Sequence, residues 1–113
     1  MRWYQPLRRP REIAYVRRRG RSFGRPTLVG YAAVAQPGSP TCIVVSVGKA
    51  VGGAVVRNRV RRRIKGALDH RPPLAVPARI VLVARPGAAA REYARLADDV
   101  TAVLTRLACP VGT

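Results

Sequence analysis

From Gly52 to Lys65 the chain reads Gly-Gly-Ala-Val-Val-Arg-Asn-Arg-Val-Arg-Arg-Arg-Ile-Lys, and no other stretch limits the possible folds as much. At about 100° per residue, a helix places Val56, Val60, Ile64, Ala67 and Leu68 on one face. Asn58, Arg61, Arg62 and Lys65 gather within about 100° on the opposite face, with Arg59 at its edge. A core must therefore receive the apolar stripe while the cations stay outside. No acid lies between Val55 and Leu68, where an ordinary solvated helix would interleave carboxylates at i±4. Unpaired guanidinium forks at this spacing can track phosphates, which points to a nucleic-acid surface. Arg57 falls near the apolar side of the wheel, so either the helix starts later than Val55 or Val56, or Arg57 snorkels outward.

The charge balance of the whole chain agrees with this helix. Lys and Arg number 22 against five acids, a formal net charge of +17. Such a charge repels itself in the compact state, and a polyanionic partner relieves it. Only Lys49 and Lys65 are lysines. With 113 residues, 48% of them apolar, the chain suits one domain and one modest core. Cys42 and Cys109 are too few and too far apart for a disulfide framework or a zinc site and read as free thiols. No apolar run reaches the ~20 residues of a membrane span, so the expected setting is cytoplasmic with no membrane partner.

Along the chain, residues 1–8 read as a flexible basic arm, 9–109 as a single RNA-binding domain and 110–113 as a tail. A short helix fits Pro10 to Arg19, with Ile13 and Val16 inward, Gly20 placed as its cap and Arg17, Arg18 and Arg19 in its last turn. Thr27–Val34 and Cys42–Val47 read as strands around a Pro37-Gly38-Ser39-Pro40 turn, together an antiparallel pair. The basic helix should stop near His70, ahead of Pro72, Pro73 and Pro77. Arg79–Ala84 has the length and apolarity of a strand buried on both faces. Tyr93, Leu96, Ala97, Val100, Val103, Leu104 and Leu107 recur at helical steps up to Pro110. The expected class is α+β, a small, mostly antiparallel sheet with helices packed on it in the order α-β-β-α-β-α.

Val47 to Ile64 (Val-Gly-Lys-Ala-Val-Gly-Gly-Ala-Val-Val-Arg-Asn-Arg-Val-Arg-Arg-Arg-Ile) resembles the signature of the bacterial ribonuclease P protein family, in which a strand ending in Ser-Lys-Lys leads through a glycine turn to an Arg-Asn-Arg helix. The resemblance extends more weakly over about residues 7–107. It implies a left-handed β-α-β crossover around the basic helix, against the usual right-handed preference. It also implies that Lys49, Arg57, Asn58, Arg59, Arg61, Arg62 and Lys65 face ribonuclease P RNA. A separate cleft between the first helix and the sheet would hold the single-stranded 5′ leader of precursor tRNA, with Ile13, Arg17 and Tyr31 aligned to it. Ile13 and Arg17 stand where the family often carries aromatics, and Gly48 and Ala50 replace the familiar Ser and second Lys. Tyr31 then serves either as a stacking platform or as a cross-strand packing partner. Phe23 reads as covering the core edge.

A protein nuclease needs a general base, paired carboxylates or a histidine pair. Here the acids are Glu12, Asp69, Glu92, Asp98 and Asp99, and His70 stands alone. Consecutive Asp98 and Asp99 diverge by about 100° on a helix and do not converge on one metal. The resemblance resolves this: the RNA carries the chemistry and holds most of the Mg²⁺, and the protein is an accessory subunit that takes no small-molecule substrate. The rival reading is a ribosomal or other structural RNA-binding protein with no coupled cleavage; a DNA-binding regulator is the weaker alternative.

Overall fold

The computed structural model describes residues 2–90 and 92–108. The expected tail at 110–113, Cys109 and the closing Pro110 lie outside them. The elements are β1 (Gln5–Pro6), α1 (Pro10–Arg19), β2 (Arg21–Gly24), β3 (Leu28–Val34), β4 (Cys42–Ser46), α2 (Ala54–Asp69), β5 (Ala78–Ala84), α3 (Gly87–Ala90) and α4 (Tyr93–Ala108). The expected α-β-β-α-β-α order is present, with the short β1, β2 and α3 added to it.

One five-stranded sheet runs in the order β1-β4-β5-β3-β2. β4 pairs with β5 in parallel, Val44 opposite Val81, and α2 makes the β-α-β crossover between them. β3 pairs with β5 antiparallel, Tyr31 also opposite Val81, and β2 pairs with β3 antiparallel. The sheet is thus mixed, with the longest ladder antiparallel and parallel pairing added by β4 on β5 and β1 on β4. β3 and β4 are not the hairpin that the Pro37–Pro40 turn implied, because β5 lies between them. β5 is the most apolar strand and takes the central place, where both its faces and both its edges are covered.

Alternation along the strands divides the core in two. Leu28, Ala32, Ile43, Ile80 and Leu82 face α2 and α4, meeting Val60, Ile64 and Leu68 of α2 and Leu96, Val100, Val103 and Leu104 of α4. Val81, Tyr31, Ala33, Val44 and Val83 belong to the other layer, with Val16 and Ile13 of α1 and Leu7. The apolar stripe read on α2 is therefore the buried one. α1 ends where expected, but Gly20 is extended, with φ −75°. A β-carbon there would lie 2.4 Å from the Val16 carbonyl oxygen and 2.7 Å from that of Ala32. Glycine is needed for the close approach of α1 to β3, not for a left-handed cap.

Residues 2–8 are not a loose arm. Tyr4 and Leu7 are buried, Gln5 and Pro6 pair with Cys42 and Ile43, and the Trp3 indole N–H donates to the Leu68 carbonyl at 2.7 Å. The apolar Trp3, Tyr4 and Leu7 give this stretch something to bury, and β4 offers an open edge on which to lay it. Among the described residues no helix is long and apolar enough to cross a membrane.

At the opposite end, Asp99 of α4 ties down the turn between β2 and β3. It accepts from Thr27 Oγ1 at 2.7 Å, from the Thr27 backbone N–H at 3.3 Å and from Arg25 Nε at 3.1 Å. Burial alone raises its pKa, but the bonds from Thr27 and Arg25 outweigh that and hold the carboxyl below the usual range. A depressed folded-state pKa contributes stability above the unfolded value of about 3.9, and this is lost as pH falls through the folded value. Asp99→Asn should therefore cost about 2 kcal/mol near neutral pH, the size of hydrogen bonds to a charged group. Urea unfolding of variant and parent should converge in acid. Leu7→Ala should cost about 2–4 kcal/mol, as for a buried leucine; an undocked arm would give a midpoint shift close to zero.

Candidate nucleic-acid interface

The turn that launches α2 is built on close contacts. Val51 N–H donates to the Gly48 carbonyl and Gly52 N–H to that of Lys49, and Gly52 takes φ +157°. A side chain at Gly52 would run into Val56, 2.9 Å away, so glycine lets the helix start directly after β4. α2 begins at Ala54, earlier than the pattern suggested, so a late start does not explain Arg57. Its side chain is half-buried and its Nε enclosed without a partner, which leaves the snorkelling alternative.

Asn58, Arg61, Arg62 and Lys65 line one groove together with Arg2, Gly66 and Asp69. Arg61 donates from Nη1 to Asn58 Oδ1 at 3.0 Å, which holds the guanidinium along the helix surface. Arg61 and Lys65 also border a second depression that reaches Tyr4, Leu7 and Val44 at the β1 and β4 edge. The remaining cations are placed differently. Arg59 is half-buried with its Nε enclosed and unpaired, and Lys49 is exposed in the preceding turn; neither lines that groove.

Arg2 was missed at the sequence level. It lies 3.1 Å from Asp69 and 5.7 Å over the Tyr4 ring, so the N-terminal segment brings a cation to the C-terminal end of α2. Burial raises the Tyr4 pKa, against the lowering effect of Arg2 and with the help of Asp69. The only local signal was the Trp-Tyr pair beside Arg2, apolar residues in a supposedly loose arm.

On the other sheet face, Ile13 and Tyr31 pack in one cluster with Val44 and Val83, and Arg17 sits with its Cζ 5.5 Å from the Tyr31 ring centroid. The structure therefore brings Ile13, Arg17 and Tyr31 together beside α1. Arg17 is exposed, whereas Tyr31 is half-buried beneath it. Glu12 reaches Arg79 of β5 at 3.5 Å and ties α1 across the sheet. Phe23 belongs to the α4 side, packed on the main core with Arg106 5.4 Å over its ring.

Three of the five acids are held in ion pairs: Glu12 with Arg79, Asp69 with Arg2 and Asp99 with Arg25. Among the described residues no three His, Cys, Asp or Glu side chains converge to hold a metal ion. His70 donates from Nδ1 to the Gly66 carbonyl at 2.7 Å, the one direction a carbonyl partner allows.

These surfaces define a cationic α+β domain with guanidinium groups free to meet a polyanion. The model of the Ribonuclease P family matches residues 1–108. The ribonuclease P protein components of Streptomyces avermitilis and Beutenbergia cavernae are 43% and 44% identical over 110 and 102 residues. Those alignments cover 89% of this chain in both cases, and 89% and 86% of the respective relatives. The chain superposes on the Staphylococcus aureus RNase P protein with a TM-score of 0.80 at 20% identity, covering 89% of this chain and 93% of that one. For the Thermotoga maritima protein the TM-score is 0.76 at 16% identity, covering 90% and 96%. The chain belongs to the ribonuclease P protein family. It is a subunit of the ribonucleoprotein endoribonuclease P, partners ribonuclease P RNA and acts in tRNA processing.

Proposed function

We propose that the groove on α2 lies on ribonuclease P RNA while the cleft beside α1 holds the single-stranded 5′ leader of precursor tRNA. The observation that carries this is the convergence of Asn58, Arg61, Arg62 and Lys65 on one surface whose one acid, Asp69, is already paired with Arg2. Lys49, Arg57 and Arg59 extend the RNA contact along both flanks of α2. Neutralising phosphate charge between two RNAs tightens substrate binding and lets the catalytic RNA retain Mg²⁺ at physiological salt. The Mg²⁺ is held mainly by that RNA, which performs the cleavage, and the assembly works in the bacterial cytoplasm.

In the cleft, the Arg17 guanidinium covers the Tyr31 ring at 5.5 Å, and Ile13 supplies an apolar wall. A leader base meets a guanidinium plane backed by an aromatic ring, a stack in which both partners tolerate any base. Mature tRNA lacks the leader, so these contacts favour substrate over product.

The direct test is cleavage of precursor tRNA by ribonuclease P RNA at low Mg²⁺ with and without this chain. Enhancement is expected; RNA binding without it would favour the ribosomal or structural RNA-binding reading. Changing Arg61 and Arg62 together to Ala should weaken assembly with the RNA. It should also flatten the salt dependence by about 0.7–0.9 log units per lost phosphate contact. An unaltered slope would move the RNA surface elsewhere. Tyr31→Ala should reduce the preference for precursor over mature tRNA by about 1–3 kcal/mol. Lower fold stability with that preference intact would make Tyr31 a packing residue only.

A further inference from the structure

The outer side of α1 takes no part in either surface described above. Val16 is fully buried and Ile13 half-buried against the sheet, and Arg17 leans over Tyr31. Counting about 100° per residue, Arg11, Tyr15 and Arg18 fall within about 60° of one another on the side away from Val16. All three are exposed, and 53% of Tyr15 is accessible.

This stripe carries charge that nothing nearby balances. Glu12, the one acid of α1, is turned to Arg79 on the sheet. Among the described residues, Arg11 and Arg18 make no ion pair or hydrogen bond and the Tyr15 ring meets no other ring or cation. Tyr15 thus presents an aromatic face to solvent between two unpaired cations, the composition of a single-strand stacking surface. Arg11 and Arg18 are separated by about 10 Å along the helix axis, enough to meet different phosphates on either side of a stacked base.

The fold also selects which RNA can reach the stripe. α2 packs on the sheet face bearing Leu28, Ile80 and Leu82, and α1 on the face bearing Tyr31 and Val81. The outer side of α1 is therefore turned away from the α2 groove, with the sheet between them. A ring standing out from a convex helix finds a free base face only on an unpaired strand, since a duplex keeps its base faces stacked inside.

We propose that the outer face of α1 is a second single-strand surface, on which the leader of precursor tRNA continues after leaving the cleft. Tyr15 stacks on an unpaired base, and Arg11 and Arg18 hold the phosphates around it. This rests on the reading of the cleft as the leader site and extends it to nucleotides farther from the cleavage point.

The test uses the holoenzyme with precursor tRNAs carrying leaders of about 4 and about 16 nucleotides, the short and long ends of single-strand site sizes. The unaltered protein should bind the long-leader substrate more tightly. Tyr15→Ala should lower that long-leader preference by about tenfold, the worth of one stacked base, and Tyr15→Phe should keep it. Arg11→Ala with Arg18→Ala should reduce the salt slope for the long leader by about 1.4. Neither variant should alter short-leader affinity or assembly with ribonuclease P RNA, and thermal unfolding checks that each stays folded. The proposal is overturned by an absent long-leader preference in the unaltered protein, by its persistence in both variants, or by equal losses on both leaders. Tyr31→Ala, with mature tRNA added to the comparison so that precursor preference is also read, separates the two readings. If Tyr31 governs the precursor preference while Tyr15, Arg11 and Arg18 do not affect leader length, only this surface is wrong. If Tyr31 has no influence on that preference, the cleft reading fails.

Discussion

A body of 38 × 30 × 27 Å with a formal charge of +17 must hold its elements together against its own repulsion. Three of its five acids act as ties between elements. Glu12 links α1 to Arg79 of β5, Asp69 links α2 to Arg2 in the N-terminal segment, and Asp99 links α4 to Arg25 before β3. Each pair joins elements distant in sequence. Only the Asp99 carboxylate is well shielded from water; its Arg25 partner is exposed, so the buried hydrogen bonds from Thr27 carry more of that tie than the ion pair does. With these acids occupied in joining elements, Arg61, Arg62 and Lys65 remain free to meet an external anion. The composition that makes the fold marginal on charge grounds is the same one that makes it bind RNA.

The sheet then sorts those cations by side. α2 presents its apolar stripe to one face and its polar ridge to solvent, while α1 covers part of the other face with Ile13 and Val16. On the reading proposed above, two RNA surfaces on opposite sides of a thin sheet would let one small protein touch a catalytic RNA and its substrate without the two RNAs competing for the same guanidinium groups. β5 makes this possible. Its central position gives parallel pairing to β4 and antiparallel pairing to β3, so both faces are anchored to one strand.

Much of this was legible from residue patterns. The three long helices follow from apolar spacing that a 3.6-residue period makes unambiguous, and the cationic side of α2 follows from the same wheel. Strand partners were not legible. A Pro-Gly turn between two strand-like runs has the local chemistry of a hairpin, and nothing local announces that β5, more than thirty residues later, inserts between them. The N-terminal segment failed for a related reason: a two-residue strand carries no period, and its docking depends on a β4 edge set by tertiary structure. Arg2 joined the α2 groove through that same docking. The grouping of Ile13, Arg17 and Tyr31 came from family resemblance rather than from spacing, because these residues come together only once α1 folds back across β3.

Arg17 over Tyr31 has a physical consequence for any base that would bind there. An aromatic pair would offer an uncharged stack whose strength depends little on salt, whereas Arg17 over Tyr31 offers a cation already partly desolvated on one side by the ring. Such a guanidinium keeps its planar outer face for a base and its edge N–H groups for a phosphate, so one side chain serves both contacts. Tyr31 beneath it fixes the plane and reduces the rotamer freedom that a long side chain would lose on binding. Stacking and charge neutralisation would thus be coupled in a single residue, and leader binding at this position, as proposed above, would take on the salt sensitivity that elsewhere belongs to phosphate contacts alone.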